Sequence, residues 1–183
     1  MFEGEKVKLR GFEKEDVEAV HEAMNNPEMT QYLRMLQPFS KGDEEEWIEK
    51  TWEKRKEGEE YTFAIVEKSI GDVVGSISLT DINDVNRSAE IGIWIKEECW
   101  GQGYGTEAQK LLLKYGFEEL NLHSIHGRAY GFNEKSKGLK KKVGMKQIGK
   151  LREGVYRHGQ YWDIYYFDIL KEEWEESELF SEE

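Results

Sequence analysis

The sequence predicts a mixed α/β (α+β) fold. Segments with apolar residues at every second position are typical of strands, and segments with apolar residues three or four apart are typical of helices. In chain order they give a strand, two helices, three strands, a helix, a strand, a helix and two strands. This order lacks the continuous alternation of a parallel sheet. The closing stretch "YWDIYYFDIL" is apolar on both faces, which predicts helices on both sides of the sheet.

The first third of the chain contains the first strand and both early helices. Val7 and Leu9 alternate with charged residues in "KVKLRGF", and a helix follows in "EKEDVEAVHEAMNNPEM", closed by Asn-Asn-Pro. A longer helix is predicted in "SKGDEEEWIEKTWEKRKEGEE". Ser40 and Asp43 have the spacing of a capping box, and Gly58 is placed to end that helix.

The remainder predicts three strands, in "EYTFAIVEK", "GDVVGSISLTDI" and "RSAEIGIWIKEE", and then a helix, a strand, a short helix and two closing strands. The buried stripe of the first of these helices is expected to contain Ala108, Leu111, Leu112 and Tyr115. We expect one domain over residues 1–174, with Trp174 as its last anchor and an acidic tail over residues 175–183.

Composition excludes several classes of function. The 183 residues carry a formal net charge of −12, which disfavours a nucleic-acid partner because phosphate contacts need clustered Lys and Arg. The same charge favours cationic partners such as polyamines, or else contributes only to solubility. No apolar signal core and no membrane-length stretch are present in the sequence. We therefore expect a cytoplasmic protein that binds no membrane.

Metal sites and cysteine chemistry are disfavoured in the same way. A single cysteine, Cys99, forms no internal disulfide, and no activating neighbour marks it as a nucleophile. His123 and His126 are three residues apart in a predicted strand, so they face opposite sides of the sheet. The other two histidines add no ligand spacing, and we expect no metal.

The most informative stretch is "CWGQGYGTEA", where Gly101, Gly103 and Gly105 precede a helix expected to begin near Thr106. The preceding strand is expected to end at residues 97–98. Helix N-termini offer unpaired amides and partial positive charge, so phosphate binds there. The loop lacks the Lys-Ser/Thr of a P-loop, and its Gly-x-Gly-x-Gly spacing differs from the dinucleotide fingerprint. Another kind of phosphate ligand is indicated.

"WGQGYGTEA" resembles the pyrophosphate loop of the GNAT acetyltransferases, Gln/Arg-x-x-Gly-x-Gly/Ala, with Trp100 in the first slot. "NEKSKGLKKKVGM" resembles the Asn-x-x-Ser…Lys-x-Gly-Phe segment of ribosomal-protein and spermidine N-acetyltransferases. "LREGVYRHGQYWDIYYFDILKEEW" is similar to the closing hairpin of that branch. The resemblance implies a GNAT-like, mostly antiparallel sheet, acetyl-CoA as donor and a primary amine as acceptor.

The resemblance also implies roles for individual residues in coenzyme binding. The strand after Glu90 should splay from its neighbour, so that backbone groups pair with the pantetheine arm, as in β-augmentation. Asn133 is expected near the pantetheine arm or the thioester. Lys137 and Lys142 are expected at the phosphates, although lysines 140–142 also fit a solvated helix face. The residues implied in coenzyme binding are Ile93, Trp94, Ile95, Gln102, Gly103, Tyr104, Gly105, Thr106, Asn133, Lys137 and Lys142.

Catalytic roles follow the same resemblance. Lys140 occupies the slot in which many GNAT members place a tyrosine acid, so Ser136 is the candidate substitute, or else an N-cap. Glu90 is the candidate base, with a carboxyl pKa raised among apolar neighbours, or else a strand carboxylate paired with Arg87. Three polar residues either shape the acceptor mouth or form a turn: Asp81, Asn83 and Asp84.

The free energy needed to deprotonate the acceptor amine helps to choose between acceptors. Deprotonating an α-amine at pH 7 costs about 1 kcal/mol, whereas a polyamine or lysine amine costs roughly 4–5 kcal/mol. We therefore favour the N-terminal α-amine of a (ribosomal) protein or peptide, although the net charge favours polyamines. A catalytically silent acyl-CoA-binding module is the alternative from another class. The oligomeric state stays open, a homodimer included.

Overall fold

Seven strands form one mixed sheet in the order β1-β2-β3-β4-β5-β7-β6. A computed structural model describes residues 2–33 and 38–177, so residues 178–183 of the predicted tail lie outside it. Neighbouring strands are antiparallel except β4 and β5, which are parallel. The strands are β1 (Val7–Arg10), β2 (Tyr61–Glu67), β3 (Val73–Asn83), β4 (Ser88–Ile95), β5 (Ser124–Tyr130), β6 (Lys146–Arg157) and β7 (Gln160–Leu170).

Helices cover both faces of this sheet, as predicted. They are α1 (Val17–Met24), α2 (Pro27–Thr30), α3 (Lys41–Glu57), α4 (Tyr104–Glu118), α5 (Glu134–Lys142) and α6 (Lys171–Glu175). Alternate residues of β2 belong to two separate apolar cores: Phe63 and Ile65 pack in the core that contains α4, and Ala64 and Val66 in the core that contains α1 and α3. This alternation follows from the two-residue period of a strand.

The early helices confirm the predicted helix ends and add one short helix that was not predicted. Ser40 and Asp43 form the predicted capping box of α3, and Gly58 ends that helix in the left-handed region at φ 76°. The Asn-Asn-Pro stretch closes α1 as predicted, with Asn25 as its C-cap, and also begins a short helix that was not predicted, α2. Asn26 caps α2, and Pro27 occupies its first position, where the missing N–H costs nothing.

The predicted boundaries around the glycine loop were each wrong by about two residues. Strand β4 ends at Ile95, and a 3₁₀ turn over Glu97–Cys99 follows it. Helix α4 begins at Tyr104 rather than near Thr106, because Gly103 adopts φ 90° and serves as the N-cap. A glycine reaches this conformation without steric cost. The last glycine of the loop therefore lies inside the helix.

The buried face of α4 also differs slightly from the prediction. Ala108 and Leu112 are fully buried, but Leu111 and Tyr115 are only partly so, and the stripe continues instead through Leu113 and Phe117. Trp174 is buried as expected, and its ring stacks on that of Phe117, with the ring centroids 5.4 Å apart. In the described part of the chain, no helix is long and apolar enough to cross a membrane.

Candidate active site

A cavity of about 610 Å³ opens where β4 and β5 separate. The parallel pairing of these strands runs from Ser88↔Ser124 to Glu90↔His126 and stops there, although both strands continue. Beyond this point, residues 91–95 of β4 and 128–130 of β5 line the cavity. The predicted splay after Glu90 is confirmed. Ile93, Trp94 and Ile95 consequently lie on the open edge, where a ligand has access to the strand.

The glycine loop forms another wall of the cavity, through Gly101 and Gly103 to Thr106. No side chain caps α4, and in the described part of the chain no hydrogen bond is recorded from the amides of Tyr104 or Gly105. The Thr106 amide donates to the Gly103 carbonyl at 3.1 Å. The first turn of α4 therefore presents unpaired N–H groups with the positive end of the helix dipole, which is suited to an anion.

The side chain of Gln102 is absent from the cavity wall. Its carbonyl accepts a hydrogen bond from Lys6 Nζ at 3.0 Å, and its side-chain amide donates to the Glu98 carbonyl at 3.3 Å. The residue thus connects the loop to the N-terminal segment and to the preceding turn. Any contribution of Gln102 to anion binding is limited to its backbone.

Glu107, in the first turn of α4, holds the N-terminal segment against the glycine loop. Its carboxylate accepts hydrogen bonds from the amides of Glu5 at 2.7 Å, Lys6 at 2.9 Å and Val7 at 2.7 Å. A Cβ at Gly4 would lie only 2.4 Å from the Glu107 side chain, so glycine is needed for this close approach. The start of β1 and the start of α4 therefore form one hydrogen-bonded unit.

Helix α5 supplies another wall of the cavity, beside the glycine loop and the start of α4. Asn133 is its N-cap, and the Asn133 Oδ1 accepts from the Ser136 amide at 3.0 Å. The alternative prediction that Ser136 is the N-cap of α5 is therefore wrong, because Asn133 is the N-cap. Both residues line the cavity, together with Lys135, Leu139 and Lys142.

Glu90 lies at the closed end of the cavity, at the last position where β4 pairs with β5. Its Oε1 accepts a hydrogen bond from Arg128 Nε at 2.9 Å. The expectation of a lone carboxylate among apolar neighbours was wrong, and so was the alternative of a pair with Arg87, because parallel pairing places β5 beside β4. The pair has side-chain exposures of 18% for Glu90 and 35% for Arg128.

Lys140 differs most from its sequence prediction. The solvated face expected of lysines 140–142 is wrong at this position, since Lys140 is 2% exposed and lines the cavity. Its Nζ lies 3.4 Å from Ser136 Oγ. Burial disfavours the ammonium and lowers the pKa of Lys140 to about 8, against a smaller opposing effect of Glu90. Neighbouring Lys141 is exposed.

Besides Gln102, four predicted site residues are not brought to the cavity. Lys137 Nζ instead donates to the Gly131 carbonyl at 2.9 Å and to Glu134 Oε1 at 2.6 Å. The polar residues Asp81, Asn83 and Asp84 are exposed beyond the cavity wall, and Asn83 Oδ1 accepts from the Asn86 amide at 2.8 Å. That contact is the turn chemistry considered as the alternative.

Two residues beside the glycine loop belong to the wall rather than to the chemistry. Cys99 is partly buried and lines the cavity, and burial raises its thiol pKa, which disfavours the nucleophilic thiolate. Trp100, in the slot that the family gives to Gln/Arg, donates from Nε1 to the Ile95 carbonyl at 2.8 Å. Lys135 Nζ lies 3.8 Å from the centre of the Trp100 ring, so this contact joins the loop to α5.

Known proteins resemble this chain in sequence and in structure. Residues 6–146 match the acetyltransferase (GNAT) domain. The chain belongs to the GNAT acetyltransferase family. The spermidine N(1)-acetyltransferase of Escherichia coli K12 is 33% identical over 138 residues, which is 75% of this chain and 72% of the relative. The "Putative ribosomal N-acetyltransferase YdaF" of Bacillus subtilis is 35% identical over 105 residues, 57% of each chain.

Among solved structures, spermidine N-acetyltransferase from Vibrio cholerae in complex with CoA and spermine is similar with a TM-score of 0.82. That structure is 28% identical, and the match covers 92% of this chain and 98% of the other. The protein is thus an N-acetyltransferase of the GNAT family, and GNAT enzymes use acetyl-CoA.

The residues present in this GNAT protein fit acetyl-CoA. The unpaired amides of Tyr104 and Gly105 are suited to the pyrophosphate, and Lys142 adds a cation to the same cavity. The open edge at residues 91–95 offers backbone groups to the amides of a pantetheine arm. Sequence reasoning missed Arg128, the burial of Lys140 and the Glu107 tether. All three depend on contacts between distant segments, and no local pattern indicates them.

Proposed function

We propose that this GNAT enzyme transfers the acetyl group of acetyl-CoA to the N-terminal α-amine of a protein or peptide, with a ribosomal protein as one candidate acceptor. The observation that carries the proposal is the single cavity connecting three features: the open edge of β4, the unpaired amides of α4 and the polar cluster at its closed end. The single cysteine of the chain is compatible with a cytoplasmic enzyme.

In this proposal the backbone of Ile93, Trp94 and Ile95 binds the pantetheine arm as an added strand. The first-turn amides hold the pyrophosphate, from Gln102 and Gly103 through Thr106, with Tyr104 and Gly105 as the unpaired donors. Asn133 and Lys142 contribute from α5. Acetyl-CoA, when bound, supplies the activated acyl group, and the protein supplies position, exclusion of water and proton transfer.

Glu90 is the proposed acceptor-side group. Its carboxylate is held by Arg128 at the closed end of the cavity, where it can accept a hydrogen bond from an incoming amine. A fixed carboxylate orients the amine and takes up the proton that the nitrogen releases. Ser136 is the proposed hydroxyl partner in the same cluster, since its Oγ lies 3.4 Å from Lys140 Nζ.

The charge of the cavity favours an α-amine over a polyamine. Two carboxylates, Glu90 and Glu134, are found in the described cavity wall, and Glu90 is already paired with Arg128. The basic residues in the wall are Arg128, Lys135, Lys140 and Lys142. A polycation needs several unpaired carboxylates along its length, and this wall does not offer them. The net charge of −12 therefore resides mainly outside the cavity.

Spermidine is the second candidate acceptor. The E. coli spermidine N(1)-acetyltransferase is 33% identical over 75% of this chain, which favours a polyamine amine. Such an amine costs roughly 4–5 kcal/mol to deprotonate at pH 7, and Glu90 would have to assist this step.

The test is a panel of acceptors at fixed acetyl-CoA concentration, with CoA release followed by a thiol reagent. Peptides with free N-termini, the same peptides blocked at the N-terminus, and spermidine form the panel. We expect release with free peptides and none with blocked ones. Release with spermidine alone would support the second candidate. Tight CoA binding by calorimetry without turnover on any amine would instead identify a silent acyl-CoA-binding module.

A further inference from the structure

Lys140 is the one basic residue that the described part of the chain buries. Its side chain extends from α5 toward β5, where a Cβ at Gly127 would lie 3.1 Å from Lys140 Cε. Glycine at 127 therefore leaves the space that the lysine chain occupies. A buried ammonium is costly unless it is paired, so the groups around Lys140 decide what its charge can do.

The ammonium of Lys140 has no carboxylate within ion-pair distance among the described residues. The Nζ contact recorded is with Ser136 Oγ at 3.4 Å, one helical turn earlier. The charged groups around it are Glu90 on β4, which attracts it from a longer distance, and Arg128 on β5, which is already bonded to Glu90. Lys142 lines the same cavity from α5. Lys140 is thus a proton donor that faces the cavity with donors to spare.

We propose that the Lys140 ammonium gives its proton to the sulfur that leaves the acyl donor, an inference that rests on the acetyl-transfer function proposed above. Lys140 reaches the closed end of the cavity: its Cε lies against Gly127, which directly follows His126, the residue of β5 where pairing with Glu90 of β4 ends. A donor extended along the open edge from the α4 amides directs its acyl end to this point. Lys140 therefore fills by itself the role that Ser136 was expected to take over.

The step balances in bonds and protons. A carbon–nitrogen bond forms between the amine and the acetyl carbonyl carbon, and the carbon–sulfur bond breaks with its electron pair on sulfur. The Lys140 ammonium protonates that sulfur and becomes a neutral amine. The acceptor nitrogen loses one proton to Glu90, and that proton returns to Lys140 through the Ser136 hydroxyl or solvent, which restores the ammonium. Over one turnover the enzyme neither gains nor loses a proton.

Burial makes this lysine a better acid than an exposed one. Because its pKa is lowered to about 8, Lys140 is mostly protonated at pH 7 and gives up its proton more readily than a solvated lysine. The charged form is lost as the pH rises through 8. The rate should therefore fall as the pH rises above about 8, and we call this fall the alkaline limb. Deprotonation of the acceptor amine acts in the opposite direction and raises the rate with pH.

The first test compares Lys140→Met and Lys140→Arg with a matched control, Lys141→Met, at the exposed neighbouring position. We expect kcat/KM for acetyl-CoA to fall roughly 100-fold or more in both Lys140 variants, with the alkaline limb absent, since loss of general acid catalysis typically costs 10²–10⁴-fold. Arginine keeps the charge but does not release its proton. The control should keep both rate and limb. A reduced rate that retains the limb would assign Lys140 a structural role and overturn the proposal.

The second test needs no turnover. Bound CoA is titrated by the ultraviolet absorbance of its thiolate, in the parent protein and in Lys140→Met, after calorimetry has shown that both bind CoA. An ammonium beside the sulfur lowers the thiol pKa, so the parent should titrate at lower pH than the variant. Equal thiol titrations would overturn the proposal even in an active enzyme. A difference in a protein inactive on every amine would place Lys140 at the sulfur while rejecting the acetyl-transfer function.

Discussion

Arg128 Nε donates to Glu90 Oε1 at 2.9 Å, in the layer where β4 and β5 make their last pairing. The pair closes one end of the cavity, and the carboxylate also stabilises the ammonium of Lys140. Glu90 on β4 thus interacts electrostatically with both Arg128 on β5 and Lys140 on α5. Removal of the Glu90 carboxylate should therefore alter the protonation of Lys140.

Glu90→Gln should move the alkaline limb of the rate to lower pH. The Coulombic attraction of Glu90 raises the pKa of Lys140, so its removal leaves desolvation unopposed. The measurement is kcat/KM for acetyl-CoA across pH 6–10. Glu98→Gln, an exposed carboxylate outside the cavity wall, is the control. An alkaline limb with an unchanged midpoint would contradict the coupling.

Gly103→Val should weaken CoA binding about 10- to 100-fold and leave most of the fold intact. Gly103 has φ 90°, which a β-branched residue avoids, so the turn that aims the α4 amides must distort. Hydrogen bonds to a charged group contribute roughly 1.5–3 kcal/mol each, which sets the expected loss. Calorimetry with CoA measures it. Gly149→Ala is a suitable control, because that position has open space around it, and parent-like affinity of Gly103→Val would refute the loop assignment.

Asn133→Ala should cost about 1 kcal/mol of unfolding free energy, because the N-cap of α5 is lost. Asn133→Asp keeps the cap and should keep the stability. The added carboxylate faces a cavity intended for an anionic donor, so CoA binding should weaken in this variant. Urea unfolding and CoA calorimetry separate the two effects. Parent-like affinity in Asn133→Asp would argue that Asn133 contributes only to α5.

Lys140→Met should be more stable than the parent at pH 7, and the difference should shrink as the pH rises. The folded pKa is lowered from 10.5 to about 8, so between these values the unfolded chain binds more protons and parent stability rises with pH. The full effect is about 3 kcal/mol, present below pH 8. Urea unfolding at pH 7 and pH 10 should show the gap narrow by roughly 2–3 kcal/mol. An equal difference in unfolding free energy at pH 7 and pH 10 would mean that burial does not lower the pKa of Lys140.

Local patterns predicted much of the fold. The capping box of Ser40 and Asp43 and the termination at Gly58 are short-range features that side-chain chemistry specifies directly. The start of α4 was misplaced because a glycine in the left-handed region serves as an N-cap without any side chain. The splay after Glu90 came from the family resemblance, since no residue type marks the end of a pairing.

The arrangement of residues at the closed end of the cavity could not be predicted from the sequence alone. Glu90 and Arg128 are 38 positions apart in the chain and meet only because β4 and β5 pair in parallel. Lys140 belongs to a run of three lysines, a pattern typical of solvent-exposed helix. Its burial depends on the space left at Gly127, in another element. Such information lies in pairs of distant residues.

The Glu107 tether has a consequence for local motion. Because one carboxylate fixes both the first turn of α4 and the amides of residues 5–7, opening of the chain start and disorder of the anion-binding turn are energetically linked. A ligand that rigidifies the turn must therefore slow solvent exchange at Glu5, Lys6 and Val7, none of which lines the cavity. Occupancy of the coenzyme site would thus be reported by deuterium uptake at the first edge of the sheet.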